Sequence, residues 1–269
     1  MTGESKVEQS GNRFVQTLSA AAALPGVRIN REQFLRSALA RHCTPEQIDL
    51  AVAQNPAAAG VSDEVVKRIA NASINQETSK VSTLSAAAGL PGGIALLGTV
   101  PADLAQYLGH VLRVIQKQAY IYSWPDLFDG KDMDEETQNL LVLFTGVMFG
   151  ANAAQVGVQK VSTMLAQQAV KQLPRQALTR GVIYPIVRKV ALKLGVQMNK
   201  QIFAGGVAKA IPVAGAVLSG GLTLATFLPM SKRLQRHLSS LEIAHTRPLP
   251  SSDDIVDEEP GPAPSVVRS

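Results

Sequence analysis

The chain has 269 residues, enough for one large domain or two small ones. Its single cysteine, Cys43, excludes an internal disulfide and favours a reducing compartment, and an aromatic content of 4% leaves the core to Ala, Val, Leu and Ile. Residues 1–136 carry 12 basic and 15 acidic side chains, residues 137–250 carry 13 and one, and residues 251–269 carry one and five. The basic second half favours anionic partners: lipid headgroups, nucleic acid or the chain's own acidic tail.

The N-terminal segment is polar and lacks the basic region and apolar core of a signal peptide. We therefore predict a flexible leader over residues 1–29, ended by Pro25-Gly26. We expect the protein to be synthesised and retained in the cytoplasm.

Residues 30–78 are predicted to form a small helical lead-in. Helical apolar spacing begins at residue 30, and Thr44 with Gln47 forms the pattern of a capping box for the next helix. Ser62 and the two acidic residues after it open a further helix.

The rest of the chain contains three stretches without a charged residue, at 81–102, 137–159 and 210–231. Each approaches the ~20 residues that a bilayer-spanning helix needs. They are rich in Gly, Ala, Ser, Thr and Pro, however, so we expect closely packed helices or helical hairpins rather than clean transmembrane spans.

No strand-like alternation is sustained anywhere in the chain, which predicts an all-α fold. We expect a multi-helix bundle with Gly-rich apolar hairpins over residues 79–245 and a disordered acidic tail over residues 246–269. The helices within this domain are predicted at 102–122, 135–173, 185–204 (basic and amphipathic) and 231–240, the last one separated from the apolar segment 210–228 by Pro229.

Small residues recur at the i, i+4 spacing that lets helix backbones approach closely, as glycine pairs at 89/93 and 146/150 and as the mixed pairs Gly215/Ser219 and Ala216/Gly220. The same pattern serves packing inside one molecule and interfaces in the lipid phase, and both remain open here. These packing candidates are Gly89, Gly93, Gly146, Gly150, Gly215 and Gly220.

Candidate catalytic groups are few. Asp103 and His110 fall on one face of a predicted helix and are an acid–base candidate, but Asp103 equally suits the first turn of that helix and His110 a structural hydrogen bond. Residues 93–99 have the spacing of a phosphate-binding loop without its lysine and without a preceding strand, which excludes nucleotide binding there. No metal-ligand spacing occurs, so we predict no metal or other cofactor.

One run of basic residues contains no acid. It is either a solvated face or an attachment surface for anionic membrane lipid. Nucleic acid is a poorer partner because few aromatic side chains are interleaved with the cations. The run consists of Lys171, Arg175, Arg180, Arg188, Lys189, Lys193, Lys200 and Lys209.

Gly/Pro landmarks in apolar helices and the basic helix form a recognisable pattern, at 89–93, 99–104, 173–174, 177–179, 185–204, 211–216 and 219–221. Through these residues, the region 80–240 resembles the EcsC family of bacterial proteins. The resemblance implies an α-helical, membrane-associated cytoplasmic protein and transfers no catalytic residue.

The leading hypothesis is a non-enzymatic protein bound peripherally to the cytoplasmic face of the inner membrane through its basic amphipathic segment and its apolar Gly-rich helices. Anionic lipids would be its partners, with a membrane-protein partner or a homo-oligomer also open. A permeabilising effector that inserts into membranes and a lipid-directed enzyme using Asp103 and His110 are the alternatives. The acidic residues 253–259 are a candidate competitor for the basic surface.

Overall fold

The computed structural model describes residues 3–87, 102–128, 133–168, 173–208 and 215–245. All regular structure in these ranges is helical, which confirms the all-α prediction. The α-helices are α1 (Gly3–Ala22), α2 (Arg31–Leu39), α3 (Pro45–Ala53), α4 (Asp63–Ala87), α5 (Ala102–Ile121), α6 (Glu135–Met148), α7 (Asn152–Gln168), α8 (Arg175–Thr179), α9 (Tyr184–Ala208) and α10 (Gly215–Ser239), with a short 3₁₀ helix at Glu242–Ala244.

The prediction of a flexible leader is wrong for most of residues 1–29. Residues 3–22 form α1, which packs against α9 and α5. Phe14, Leu18 and Ala21 follow one another at helical spacing, and all three are buried in the core. Burial of this apolar stripe is what stabilises a helix whose sequence is otherwise polar.

Local capping signals determine where the next helices begin. Asn30 accepts a hydrogen bond from the Gln33 amide at the start of α2, and Thr44 forms the predicted capping box with Gln47 at the start of α3. Helix α4 then runs through the boundary predicted between residues 78 and 79, and one apolar cluster includes residues from both sides of that boundary.

The continuous helix predicted over residues 135–173 is interrupted. Gly150 lies between α6 and α7 with φ of 77°, a left-handed conformation that favours glycine. The Ala151 amide donates to the Gly146 carbonyl at 2.8 Å, as in a helix-terminating turn. As a result, α6 and α7 pack on each other as a hairpin.

The break predicted at Pro229 does not occur, since Pro229 lies inside α10. A proline in a helix interior costs about 3 kcal/mol or more because it removes one hydrogen bond and clashes with the preceding turn. Phe227 and Leu234 on either side are fully buried, and α10 packs along α4, so tertiary contacts outweigh this penalty.

Of the three uncharged stretches, 137–159 is described in full, whereas 81–102 and 210–231 are described only in part, because residues 88–101 and 209–214 lie outside the described ranges. Within those ranges, no helix combines the length and apolar character that a membrane crossing requires. The predicted acidic tail, residues 246–269, also lies outside them.

Candidate functional site

The most unusual side chain in the described core is Glu77 of α4, which has no solvent exposure. It lies one helical turn after buried Ile74 and one turn before buried Val81, on the apolar face of the helix. A buried carboxylate requires opposite charge and hydrogen-bond donors to offset the loss of hydration.

Helix α5 supplies these donors. Arg113 binds Glu77 through both its Nε and Nη2 atoms, each at 3.1 Å, and Lys117 Nζ lies 2.7 Å from Glu77 Oε1. His110 Nδ1 lies 3.6 Å from Glu77 Oε2, too long for a hydrogen bond, and Lys80 of α4 approaches Oε1 at 3.6 Å. The bidentate arginine contact fixes the geometry of this cluster.

The cluster shifts the pKa values of its members. Burial alone would raise the pKa of Glu77, but the proximity of His110 and the hydrogen bonds from Arg113 and Lys117 outweigh it and hold this pKa well below its usual range. Burial lowers the pKa of Lys117, and its contact with Glu77 opposes that effect only in part. The carboxylate is therefore ionised at neutral pH and works as an anchor for cations rather than as a proton donor.

The same face of α5 also holds the turn after α1. Arg113 donates to the Gly26 carbonyl, and Gln116 both donates to the Val27 carbonyl at 2.9 Å and accepts from the Ile29 amide at 2.8 Å. These bonds fix the wall of an open cavity bordered by this turn and by α2, α4 and α5.

This cavity has a volume of about 860 Å³ and is strongly basic. No carboxylate of the described residues lines it, and Glu77 lies beneath its floor. The apolar part of its wall includes Phe34 and Ile69. The cationic side chains that line it are Arg28, Arg41, Arg68, Lys80, Arg113 and Lys117.

The acid–base candidate Asp103 and His110 is described only in part. Both residues lie in α5, but the Asp103 side chain is outside the described part of the structure. His110 is 13% exposed and faces Glu77 across the α4–α5 contact. The carboxylate found near this imidazole is therefore a buried, ion-paired one.

The basic run predicted to bind lipid is divided between described and undescribed positions. Arg188, Lys189 and Lys193 are exposed along α9, opposite buried Val187 and Val190. Arg180 is exposed and follows α8. For Arg175 and Lys200 only the helical backbone is described, and Lys171 and Lys209 lie outside the described residues.

Of the six predicted packing glycines, only Gly146 and Gly150 have described surroundings. A Cβ atom on Gly146 would lie 2.5 Å from Val190 Cγ1 and 2.6 Å from Ala154 Cβ, so α6 meets α9 and α7 there with no space for a side chain. Gly150 serves the turn rather than a helix face. Gly215 and Gly220 lie in α10 with undescribed surroundings, and Gly89 and Gly93 lie outside the described residues.

Sequence reasoning missed two features. One is the Glu77 cluster, although a carboxylate on the apolar face of a helix was a signal for it. The other is the contact of α1 with α9, where a Cβ atom on Gly195 would lie 2.2 Å from the Ser10 carbonyl oxygen. Nothing in either segment alone specifies that pairing.

Within the described ranges, no group of three His, Cys, Asp or Glu side chains is arranged to hold a metal ion. No family model matches the chain, and neither does any curated protein or solved structure. The resemblance to the EcsC family therefore stays a prediction.

Proposed function

We propose that this chain is a non-enzymatic, EcsC-like helical protein that associates peripherally with anionic membrane surfaces. The observation that carries the proposal is the segment 180–193, in which exposed cations and exposed apolar side chains occur together without an acidic residue. Peripheral attachment to lipid uses this combination of electrostatic attraction and shallow apolar contact.

The orientation of α9 supports this proposal. Val187, Val190 and Leu194 are buried against the bundle, so Lys189 and Lys193 are turned toward solvent. A basic residue near an anionic bilayer contributes about 1 kcal/mol. Two such residues would therefore strengthen binding roughly 30-fold, and salt would weaken the effect.

Apolar side chains flank the same cations. Val182 is 62% exposed and Tyr184 is 40% exposed, immediately before the basic turn of α9. Tyrosine favours the boundary between lipid headgroups and acyl chains because its ring is apolar and its hydroxyl is polar. These two residues give the surface a means of shallow insertion.

Arg188 differs from the two lysines because it contacts Glu8 of α1. Both side chains are more than half exposed, at 62% and 55%, so the ion pair is weak and can exchange for a lipid phosphate. The proposal therefore rests on Lys189 and Lys193, and Arg188 contributes to lipid binding only when its ion pair with Glu8 opens.

The test compares flotation of the wild-type protein and of Lys189→Gln/Lys193→Gln with anionic vesicles at low ionic strength. The matched control is Lys67→Gln/Arg236→Gln, which removes the same charge from exposed positions on α4 and α10. We expect the first variant to lose roughly 30-fold in vesicle affinity and the control to lose little. Equal losses in both variants would show that net charge, not this surface, determines binding.

Release of an entrapped dye separates this proposal from the permeabilising alternative. Peripheral binding leaves vesicles intact, whereas an inserting effector releases their contents. The enzyme alternative is tested by turnover of vesicle lipid: it predicts turnover by the wild type that Asp103→Ala/His110→Ala abolishes, whereas peripheral binding predicts no turnover by either protein.

A further inference from the structure

The basic cavity beside Glu77 is lined by six cationic side chains and by no carboxylate of the described residues. Glu77 pairs with Lys80, Arg113 and Lys117 beside the cavity. Arg41, in the turn between α2 and α3, and Arg68, on α4, both line the cavity and are exposed. Clefts lined by one sign of charge concentrate ions of the opposite sign.

Part of this positive surface is already held in place. Lys117 is 6% exposed and Arg113 is 20% exposed, and Glu77 binds both. Lys117 also donates to Gln76 at 3.0 Å and lies 5.7 Å from the centre of the Phe34 ring. Ligand binding would therefore order few additional side chains in the cavity floor, which favours affinity.

The shape and chemistry of the cavity restrict the ligand. Its volume of about 860 Å³ is that of a small-molecule site and exceeds what a single inorganic ion needs. Arginines from two walls suit the several oxygens of a phosphate group, because a guanidinium binds such groups through two parallel hydrogen bonds. Phe34 and Ile69 offer apolar contact to an organic portion.

From these features we infer that the cavity bordered by α2, α4 and α5 binds an organic ligand through a phosphomonoester or diphosphate group. Arg41 and Arg68 contact this group at the rim, and Lys117 and Arg113 receive it at the floor. A soluble phosphorylated metabolite and the headgroup of a phosphate-bearing lipid share this chemistry.

Calorimetric titration with inorganic pyrophosphate at low ionic strength tests the soluble source. We expect one binding site in the wild-type protein and about tenfold weaker binding in each of Arg41→Gln and Arg68→Gln. Lys67→Gln is the matched control, because Lys67 precedes Arg68 on α4, is exposed, and does not line the cavity. Its affinity should stay within about twofold of the wild type.

Flotation with vesicles containing phosphatidic acid, a phosphomonoester lipid, tests the headgroup source against vesicles containing phosphatidylglycerol, a phosphodiester. If the protein prefers vesicles with phosphatidic acid, and this preference is lost in Arg68→Gln but kept in Lys67→Gln, the ligand is a lipid headgroup. If the protein shows no such preference, but its pyrophosphate binding is lost in Arg68→Gln and kept in Lys67→Gln, the ligand is a soluble metabolite.

The inference is overturned if neither probe depends on Arg41 and Arg68, or if Lys67→Gln weakens binding as much as Arg68→Gln. It is independent of the membrane surface on α9, since Lys189→Gln/Lys193→Gln should retain pyrophosphate binding. Loss of binding in that variant alone would assign the anion to α9 and overturn the cavity site.

Discussion

Replacing Glu77 with glutamine is the sharpest test of the structural account. The change keeps the shape of the side chain but removes the only described carboxylate that contacts Arg113 and Lys117. Lys117 then remains 6% exposed without a counter-charge, and breaking a buried ion pair in this way costs about 3–5 kcal/mol. That is a large share of the roughly 5–15 kcal/mol that stabilises a typical domain.

Urea unfolding, followed by the fluorescence of Trp124, measures this loss. Trp124 is the only tryptophan of the chain and is fully buried, so its emission reports opening of the core. A second variant, Glu77→Gln/Lys117→Met, removes the stranded charge and should regain part of the lost stability. Glu32→Gln is the control, since the Glu32 side chain is 60% exposed in a surface ion pair and its loss should change little.

The Glu77→Gln substitution should also change how the free energy of unfolding depends on pH. The pKa of Glu77 is lower in the folded protein than the value of about 4.3 expected when the chain is unfolded. Its contribution to the free energy of unfolding is therefore complete above that unfolded value and decreases as pH falls below it. Below about pH 4 the wild type should lose up to ~1.4 kcal/mol per pH unit through this group, a slope that Glu77→Gln lacks. Parallel pH profiles of the two proteins and equal stability at pH 7 would contradict a buried, ion-paired Glu77.

Four further outcomes follow from the packing and charge distribution. Gly195→Ala should destabilise by about 1–3 kcal/mol, because its Cβ atom would lie 2.2 Å from the Ser10 carbonyl oxygen, and an unchanged urea midpoint would contradict the close contact of α1 with α9. Gly150→Ala should cost about 1–2 kcal/mol at its φ of 77°, and a stabilised variant would argue against the turn. Phe144→Ala, which removes a ring 4.8 Å from that of Trp124, should cost about 3–5 kcal/mol, and a loss below about 1 kcal/mol would show that this region is loosely packed. Deleting residues 251–269 should strengthen vesicle binding if the acidic tail competes for the basic surface, and unchanged binding would exclude that competition.

Sequence reasoning succeeded where the cause of a structure is local. Thr44 and Gln47 specify the start of α3 through bonds within one helical turn. The alternation of Val187, Val190 and Leu194 with cations similarly determines which side of α9 is buried.

It failed where distant segments decide the outcome. Phe14 and Leu18 are buried in a helix that packs on α5 and α9, and Pro229 is accepted inside α10 because that helix packs on α4 and α5, with Phe227 against Tyr107. Gly150 was predicted as a packing glycine because it lies four residues after Gly146. Its positive φ shows instead that it forms the turn of the α6–α7 hairpin.

The Glu77 cluster lay partly within reach of the sequence. A carboxylate between Ile74 and Val81 on an apolar face indicates a buried ion pair, but its partners on α5 lie more than 30 positions away along the chain. The cavity above it depends in addition on the turn after α1, which the sequence suggested would be flexible.

Flotation of the wild-type protein with neutral and anionic vesicles, at low and high salt, is the decisive test of membrane association. We expect binding to anionic vesicles alone and loss of that binding at high salt, because exposed cations such as Lys189 and Lys193 supply the attraction. Binding that resists salt would point to the deep insertion of a permeabilising effector, and absence of binding to anionic vesicles at low salt would contradict the membrane association altogether.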